Sequence, residues 1–186
     1  MSVDEILLDA EDRMEKAIST LKNNLGGIRT GRANPGLVDS VKVEAWGSLT
    51  PLKHLAVVGA PEPTQIVIRP HDLTIIKDIE KAIVASDLGF NPQNDGRVIR
   101  INVPPLSADV RRKMVARIKE LAEETKVSMR NIRRDANRSC DQAEKDKTIS
   151  EDMRDDTKEQ IQELLKKYES EVGDLAKTRE AEVTED

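Results

Sequence analysis

The chain has 186 residues, of which 37% are hydrophobic and 35% are charged, and three carry aromatic side chains. This apolar content supports a folded core, and the lack of an apolar run of about eighteen residues excludes a membrane-spanning helix. A single cysteine excludes an internal disulfide and a cysteine-based zinc site, and two histidines argue against a catalytic metal centre. Residues 1–5 include Asp4 and Glu5 and are acidic where a presequence would be basic, so we expect a cytoplasmic protein.

The net charge of −5 argues at first against nucleic acid, but it is unevenly distributed. Residues 107–138 carry ten basic and five acidic side chains, a net charge of +5, and residues 139–186 carry eight basic and sixteen acidic ones, a net charge of −8. The segments 1–30 and 31–106 have net charges of −2 and 0. This asymmetry indicates a charged partner for the basic segment.

The first thirty residues are predicted to form one amphipathic helix. Gly26 and Gly27 weaken its end, and Gly31 can stop it. The apolar side chains with helical spacing are Leu7, Ala10, Met14, Ala17, Ile18, Leu21, Leu25 and Ile28.

The middle of the chain has a different pattern. All eight prolines fall between residues 31 and 106, together with short β-branched runs that predict strands at 41–44, 55–58, 66–69 and 98–103. One helix interrupts them, with Asp72 as its N-cap and with residues 86–89 ending it. Its predicted buried face comprises Ile76, Ile79, Ile83 and Val84. The segment therefore predicts a small α+β domain.

Two further helices follow. Ser107 can cap a segment that runs without proline or glycine to about Asp146, and Ser150 can cap another after a break at 147–150. The apolar stripe of the second helix is Met114, Ile118, Leu121, Met129, Ile132, Ala136 and Ala143. The stripe of the third is Met153, Thr157, Ile161, Leu164, Leu165, Tyr168, Val172, Leu175 and Ala176.

Three long helices with narrow stripes predict an antiparallel three-helix bundle. The predicted fold is α+β: a discontinuous bundle of residues 1–30 and 107–186, with an inserted β/α/β domain of residues 31–106. Two connections, one near Gly31 and one at Pro104 and Pro105, favour an articulated L shape. We expect a hinge there, comprising Thr30, Gly31, Arg32, Pro104, Pro105 and Leu106.

The second helix carries a basic stripe beside its apolar one. At 100° per residue, Lys126, Arg130, Arg133 and Asn137 fall within about 60° of one another, and Arg134 and Arg138 flank them. A guanidinium group can bind two phosphate oxygens at once, so the stripe predicts a nucleic-acid surface. The alternative is a solvated face paired to the acidic third helix, and the scarcity of acidic residues between 126 and 138 weighs against it. Trp46, Phe90 and Tyr168 are scattered, which predicts contact with the backbone of folded RNA rather than base stacking.

No group of residues predicts an enzyme. Residues 26–33 resemble a phosphate-binding loop, but Arg32 and Ala33 stand where lysine and a hydroxyl are needed, and a helix precedes them instead of a strand. His54 and His71 are isolated and expected on the surface, and Cys140 is expected to be a buried, inert thiol. We therefore predict no catalytic residue, no cofactor and no metal.

Several motifs together resemble the bacterial ribosome recycling factor (ribosome-releasing factor) family. They include Arg-Thr-Gly-Arg-Ala at 29–33 and Arg-Asn-Ile-Arg-Arg-Asp-Ala-Asn at 130–137, and they occur in order from end to end. The others lie at 81–83, 85–89, 91–92, 98–101 with 104–106, and 149–152. Two departures are mild: Ala45 and Trp46 precede Gly47 where the family commonly has two aromatics, and 106–109 is less acidic than usual.

The resemblance implies an L-shaped protein, similar in outline to transfer RNA, that binds ribosomal RNA of the large subunit. With elongation factor G and GTP hydrolysis by that partner, such a protein splits the post-termination ribosome into subunits, without a catalytic site or cofactor of its own. The family's RNA-contacting arginines match Arg29, Arg32, Arg111, Arg130, Arg133 and Arg134 here.

The full set of predicted RNA-binding residues is Arg29, Arg32, Arg111, Lys126, Arg130, Arg133, Arg134 and Asn137. We expect a monomer that binds the ribosome and elongation factor G and no membrane. Two alternatives remain at this stage. One is a helical-bundle scaffold or chaperone that binds protein partners, and the other is a hydrolase of a phosphorylated substrate, which would need a phosphate cradle and an acid–base pair that the sequence lacks.

Overall fold

The computed structural model describes residues 1–184 and contains two compact units. One comprises residues 1–30 together with the chain from residue 108 onward, and the other comprises residues 31–107. The helices are α1 (Val3–Gly26), α2 (Leu52–Leu55), α3 (Ile76–Ala85), α4 (Ala108–Lys145) and α5 (Glu151–Thr184). The strands are β1 (Lys42–Ala45), β2 (Ser48–Pro51), β3 (Ala56–Glu62), β4 (Gln65–Pro70), β5 (Pro92–Asn94) and β6 (Ile99–Asn102).

The first unit is a bundle of α1, α4 and α5, which confirms the predicted helical architecture. A reciprocal cap starts α1: Ser2 Oγ accepts from the Glu5 amide at 3.2 Å, and Glu5 Oε2 accepts from the Ser2 amide at 2.7 Å. The helix ends at Gly26, five residues before the predicted stop at Gly31. The buried side chains of α1 are Ile6, Ala10, Met14, Ile18, Leu21 and Leu25.

The predicted apolar stripes were wrong at a few positions. On α1, Ile6 is buried in place of Leu7 and Ala17, which are half-buried, and on α4 Met114 is also half-buried. Met153 was expected inside, but it is 48% exposed. Because Glu15 of α1 contacts Tyr168 of α5, the start of α1 lies level with about residue 156, and Met153 lies beyond that level.

A tight turn joins α4 to α5. Lys147 adopts a φ of 59°, and the Thr148 amide and hydroxyl both donate to the Ala143 carbonyl at 3.0 and 2.9 Å. Ser150 Oγ then accepts from the Met153 amide at 3.1 Å, which confirms Ser150 as the N-cap of α5. The turn therefore reverses the chain, so that α5 packs antiparallel to α4 along its length.

The second unit contains a four-stranded antiparallel sheet in the order β3-β4-β6-β5 and a separate β1-β2 hairpin. Two isoleucine pairs, Ile66 with Ile101 and Ile68 with Ile99, are directly opposite in the β4–β6 register, and all four side chains are buried. Ile79 and Ile83 of α3 belong to the same apolar core. This arrangement confirms the predicted small α+β domain.

Some local expectations for this unit were wrong. Val84 is 62% exposed, because it lies about 100° around α3 from Ile83 and outside the buried arc. Asp72 caps a 3-10 turn, Leu73–Ile75, that leads into α3, and Leu55 belongs to α2 rather than to a strand. The short strands β2 and β5 were not predicted.

Candidate nucleic-acid interface

The predicted basic stripe lies on one side of α4. Lys126, Arg130 and Arg133 are half-buried along the edge of the bundle, and Arg134 and Arg138 are exposed. We call these five side chains the basic face. The apolar residues of α4 lie beside this face and pack into the bundle. A continuous helix therefore fixes both sets on one rigid element.

Arg130 has acidic partners that the sequence pattern did not reveal. Its Nη1 lies 3.5 Å from Glu123 Oε1, almost two turns earlier on α4, and its Nε lies 3.6 Å from Glu169 Oε1 on α5. Acidic residues are scarce between 126 and 138, but Arg130 finds its partners outside that range. The alternative of pairing with the acidic third helix is correct at this one position.

The other cations of the basic face have no such partners in the part of the chain that the structure describes. Within residues 1–184, Lys126, Arg133, Arg134 and Arg138 make no ion pair, whereas other cations of the same helix do. Arg117, for example, lies 3.0 Å from Glu120. Unpaired guanidinium groups on a rigid helix can bind phosphate oxygens without first losing an internal partner.

Asn137 was predicted beside these cations, and its side chain is half-buried. Its Oδ1 is fully buried and has no hydrogen-bond partner in the part of the chain that the structure describes. A buried, unsatisfied amide oxygen points into the bundle rather than outward. The oxygen of Asn137 is therefore not part of the exposed basic face.

Three predicted arginines lie outside the basic face. Arg29 follows α1 in the bundle unit, and Arg111 lies in the first turn of α4; both are half-buried. Arg32 belongs to the second unit and is exposed. Sequence reasoning missed Arg179 of α5, whose Nη2 donates to the Ile28 carbonyl at 2.6 Å. No spacing within α5 could have indicated this contact, because it joins residues 151 positions apart.

Both ends of the second unit are hydrogen-bonded to the turn that contains Pro63 and Thr64. The Ala33 amide donates to the Pro63 carbonyl at 2.6 Å, and the Val103 amide donates to the Thr64 carbonyl at 2.8 Å. Ala33 follows the predicted hinge residues Thr30, Gly31 and Arg32, and Val103 precedes Pro104, Pro105 and Leu106. Both predicted hinge stretches therefore adjoin residues that these hydrogen bonds anchor.

Gly31 has a backbone that few other residues adopt. Its φ is +78°, and a Cβ added there would lie 3.3 Å from Leu106 Cγ and 3.4 Å from the Leu106 amide nitrogen. A side chain would meet both the left-handed backbone and the neighbouring Leu106. Both the backbone conformation and the space beside Leu106 therefore favour glycine at this position.

The residues considered for other chemistry are placed as expected. Cys140 is buried, and burial raises the pKa of its thiol. His54 and His71 are exposed. Among residues 1–184 no three His, Cys, Asp or Glu side chains could together hold a metal ion, and no helix has both the length and the apolar character needed to cross a bilayer.

The sequence profile described as "Ribosome recycling factor" matches residues 21–183. The chain belongs to the ribosome recycling factor family. The ribosome-recycling factor of Rhodopirellula baltica is 76% identical over 140 residues, which are 75% of each chain. That of Symbiobacterium thermophilum is 46% identical over 181 residues, 97% of this chain and 98% of the relative.

Solved structures of recycling factors have the same fold. A solution structure of the ribosome recycling factor matches 98% of this chain and 97% of its own, with a TM-score of 0.77 and 38% identity. A second match, also 38% identical, covers both chains completely with a TM-score of 0.67. That match comes from models for the T. thermophilus ribosome recycling factor and the E. coli elongation factor G bound to the E. coli post-termination complex.

Proposed function

We propose that this protein recycles ribosomes after termination of translation. It binds ribosomal RNA of the large subunit and, together with elongation factor G and GTP, splits the post-termination complex into subunits. The observation that carries the proposal is family membership along both units, since the profile match spans residues 21–183. The solved relative described with elongation factor G on a post-termination complex supports the choice of partners.

The proposed RNA contacts are the predicted set of Arg29, Arg32, Arg111, Lys126, Arg130, Arg133, Arg134 and Asn137. Support comes from the cations of α4 that make no ion pair within residues 1–184, Lys126, Arg133 and Arg134 among them. For Arg130, a phosphate would displace Glu123 and Glu169, and such exposed pairs contribute only about 0–1 kcal/mol. Each neutralised phosphate releases counterions, so binding should weaken as salt rises.

The bundle would act as a stiff rod. The 38 residues of α4 make it about 57 Å long at 1.5 Å per residue. Buried side chains from α1, α4 and α5 hold the three helices together, so a push applied to the rod is not dissipated by local unfolding. A push from the partner factor on the inserted domain would be transmitted through the proposed hinge, Thr30–Arg32 and Pro104–Leu106, with domain boundaries at 30/31 and 106/107.

This protein and elongation factor G have different roles in the proposed reaction. Under this proposal GTP hydrolysis belongs to elongation factor G, and this chain supplies no catalytic residue and no cofactor. The protein works as a monomer in the cytoplasm, where ribosomes terminate. The negative charge of α5 would repel unrelated polyanions and so prevent the free protein from binding them.

Subunit splitting tests the proposal directly. Post-termination ribosomes are mixed with the protein, elongation factor G and GTP, and light scattering reports dissociation into subunits. We expect a loss of scattering that requires all three additions, and none when GTP is replaced by a non-hydrolysable analogue. Intact ribosomes under the complete conditions, with self-association of the protein, would instead support a scaffold and overturn the proposal.

A further inference from the structure

Asp135 is the only acidic residue between Lys126 and Arg138. Its Oδ2 accepts a hydrogen bond from Nη2 of Arg13 on α1, with 2.9 Å between the two atoms. Arg13 also lies 4.0 Å from Asp9, one turn earlier on α1, so its guanidinium group is held from two sides. The one acidic side chain between Lys126 and Arg138 is therefore neutralised from a neighbouring helix.

We propose that Arg13 is a positioning residue of the basic face. It holds the Asp135 carboxylate away from Arg138 and Arg134 and so leaves both guanidinium groups available to RNA phosphates. This inference rests on the proposed function. It adds a residue on α1 that lies outside the basic face and acts on it through Asp135.

The helical spacing shows which cation would otherwise take the carboxylate. Arg138 follows Asp135 by three positions, a spacing at which opposite charges on a helix meet. Elsewhere on α4 the same spacing does give ion pairs, between Arg112 and Asp109 and between Arg117 and Glu120. Within residues 1–184, Arg138 makes no ion pair, because Arg13 already binds the acidic residue three positions before it.

The electrostatic consequence is a more positive surface. A carboxylate left without Arg13 would pair with Arg138 or Arg134 and would compete with phosphate for the same guanidinium groups. Its charge would also repel the RNA backbone at close range. Loss of one phosphate contact lowers the slope of log affinity against log salt by about one.

Substitutions at the pair test the inference. Arg13→Gln, Arg13→Lys, Asp135→Asn and the double variant Arg13→Gln/Asp135→Asn are compared by equilibrium binding to purified bacterial large subunits over a series of salt concentrations. The matched control is Lys22→Gln, which removes another contact of α1, the 3.9 Å pair with Glu171 of α5. Circular dichroism and unfolding curves verify that each variant folds.

We expect Arg13→Gln to weaken binding about two- to fivefold, the range of an exposed ion pair, and to make the salt slope shallower. Asp135→Asn and Lys22→Gln should bind at least as well as the unsubstituted protein, and Arg13→Lys should retain most of the affinity. The double variant should regain the affinity and the slope, because it has no carboxylate to sequester an arginine. A purely structural role of the pair would not give this rescue.

Unchanged binding by Arg13→Gln would overturn the inference and leave the proposed function standing. A double variant as weak as Arg13→Gln would also overturn it, because Arg13 would then act by itself. A lack of salt-dependent binding by the unsubstituted protein would overturn the proposed function and this inference together.

Discussion

Tyr168 of α5 donates a hydrogen bond from its phenolic oxygen to Oε1 of Glu15 on α1, and 3.3 Å separates the two atoms. Glu11 Oε1 lies 3.5 Å from the same phenol, and the tyrosine side chain is buried in the bundle. Burial, followed by the charges of Glu15 and Glu11, raises the pKa of Tyr168 from 10.0 to about 12. The folded bundle therefore favours the neutral phenol.

This pKa predicts a loss of stability in alkaline solution. The folded protein holds the phenolic proton more tightly than the unfolded chain, so the contribution is complete below pH 10 and is lost as pH rises towards about 12. The contribution is at most about 3 kcal/mol. Urea unfolding between pH 8 and 12 measures it, with Tyr168→Phe as the control. An equally steep alkaline decline in Tyr168→Phe would show that other groups cause it.

Cys140 should be unreactive in the folded protein. Its side chain is buried in the bundle, and burial raises the pKa of its thiol, so little thiolate is present at neutral pH. We expect a thiol reagent such as a maleimide to label Cys140 at least about a hundredfold more slowly in the native protein than in urea. Rapid labelling under native conditions would mean that the α4–α5 packing opens locally.

Gly31→Ala should destabilise the inserted domain by about 1–2 kcal/mol, because alanine must adopt the left-handed φ of +78° and displace Leu106. Two controls separate these causes. Gly47→Ala meets the same backbone strain at φ +74° with nothing within 4 Å, and Gly59→Ala has neither problem. We expect the free energy of unfolding to fall most for Gly31→Ala, less for Gly47→Ala and least for Gly59→Ala. Equal losses in all three would remove the special role of the contact with Leu106.

The helices could be predicted because the apolar stripe of each helix reflects the burial of one face of that helix. The spacing of Ile118, Met129 and Ile132 indicates an inner face whatever the neighbouring helices are. Two features of the candidate site depend on how helices are placed together. The contacts of Asp135 with Arg13 and of Arg130 with Glu169 depend on how two helices are rotated and shifted relative to each other. The apolar spacing within one helix does not give this information.

In the inserted domain, some strands could be predicted from the sequence and others could not. Strands β1, β4 and β6 follow alternating apolar residues, and the sequence predicted them. Strand β2 has four residues and β5 has three, and each exists because a partner strand, β1 or β6, supplies its hydrogen bonds. Strand β2 shows no alternation of buried and exposed side chains, and β5 is too short to show a period of two.

A comparison of Arg133→Ala with Arg117→Ala tests whether the basic face binds ribosomal RNA. Arg133 makes no ion pair within residues 1–184, whereas Arg117 is paired to Glu120 at 3.0 Å and lies outside the basic face. Affinity for purified large subunits is measured at several salt concentrations. We predict that Arg133→Ala loses about 1–3 kcal/mol of binding free energy and has a shallower salt slope, while Arg117→Ala binds as the unsubstituted protein does. Unchanged affinity of Arg133→Ala at every salt concentration would contradict the assignment of the basic face to ribosomal RNA.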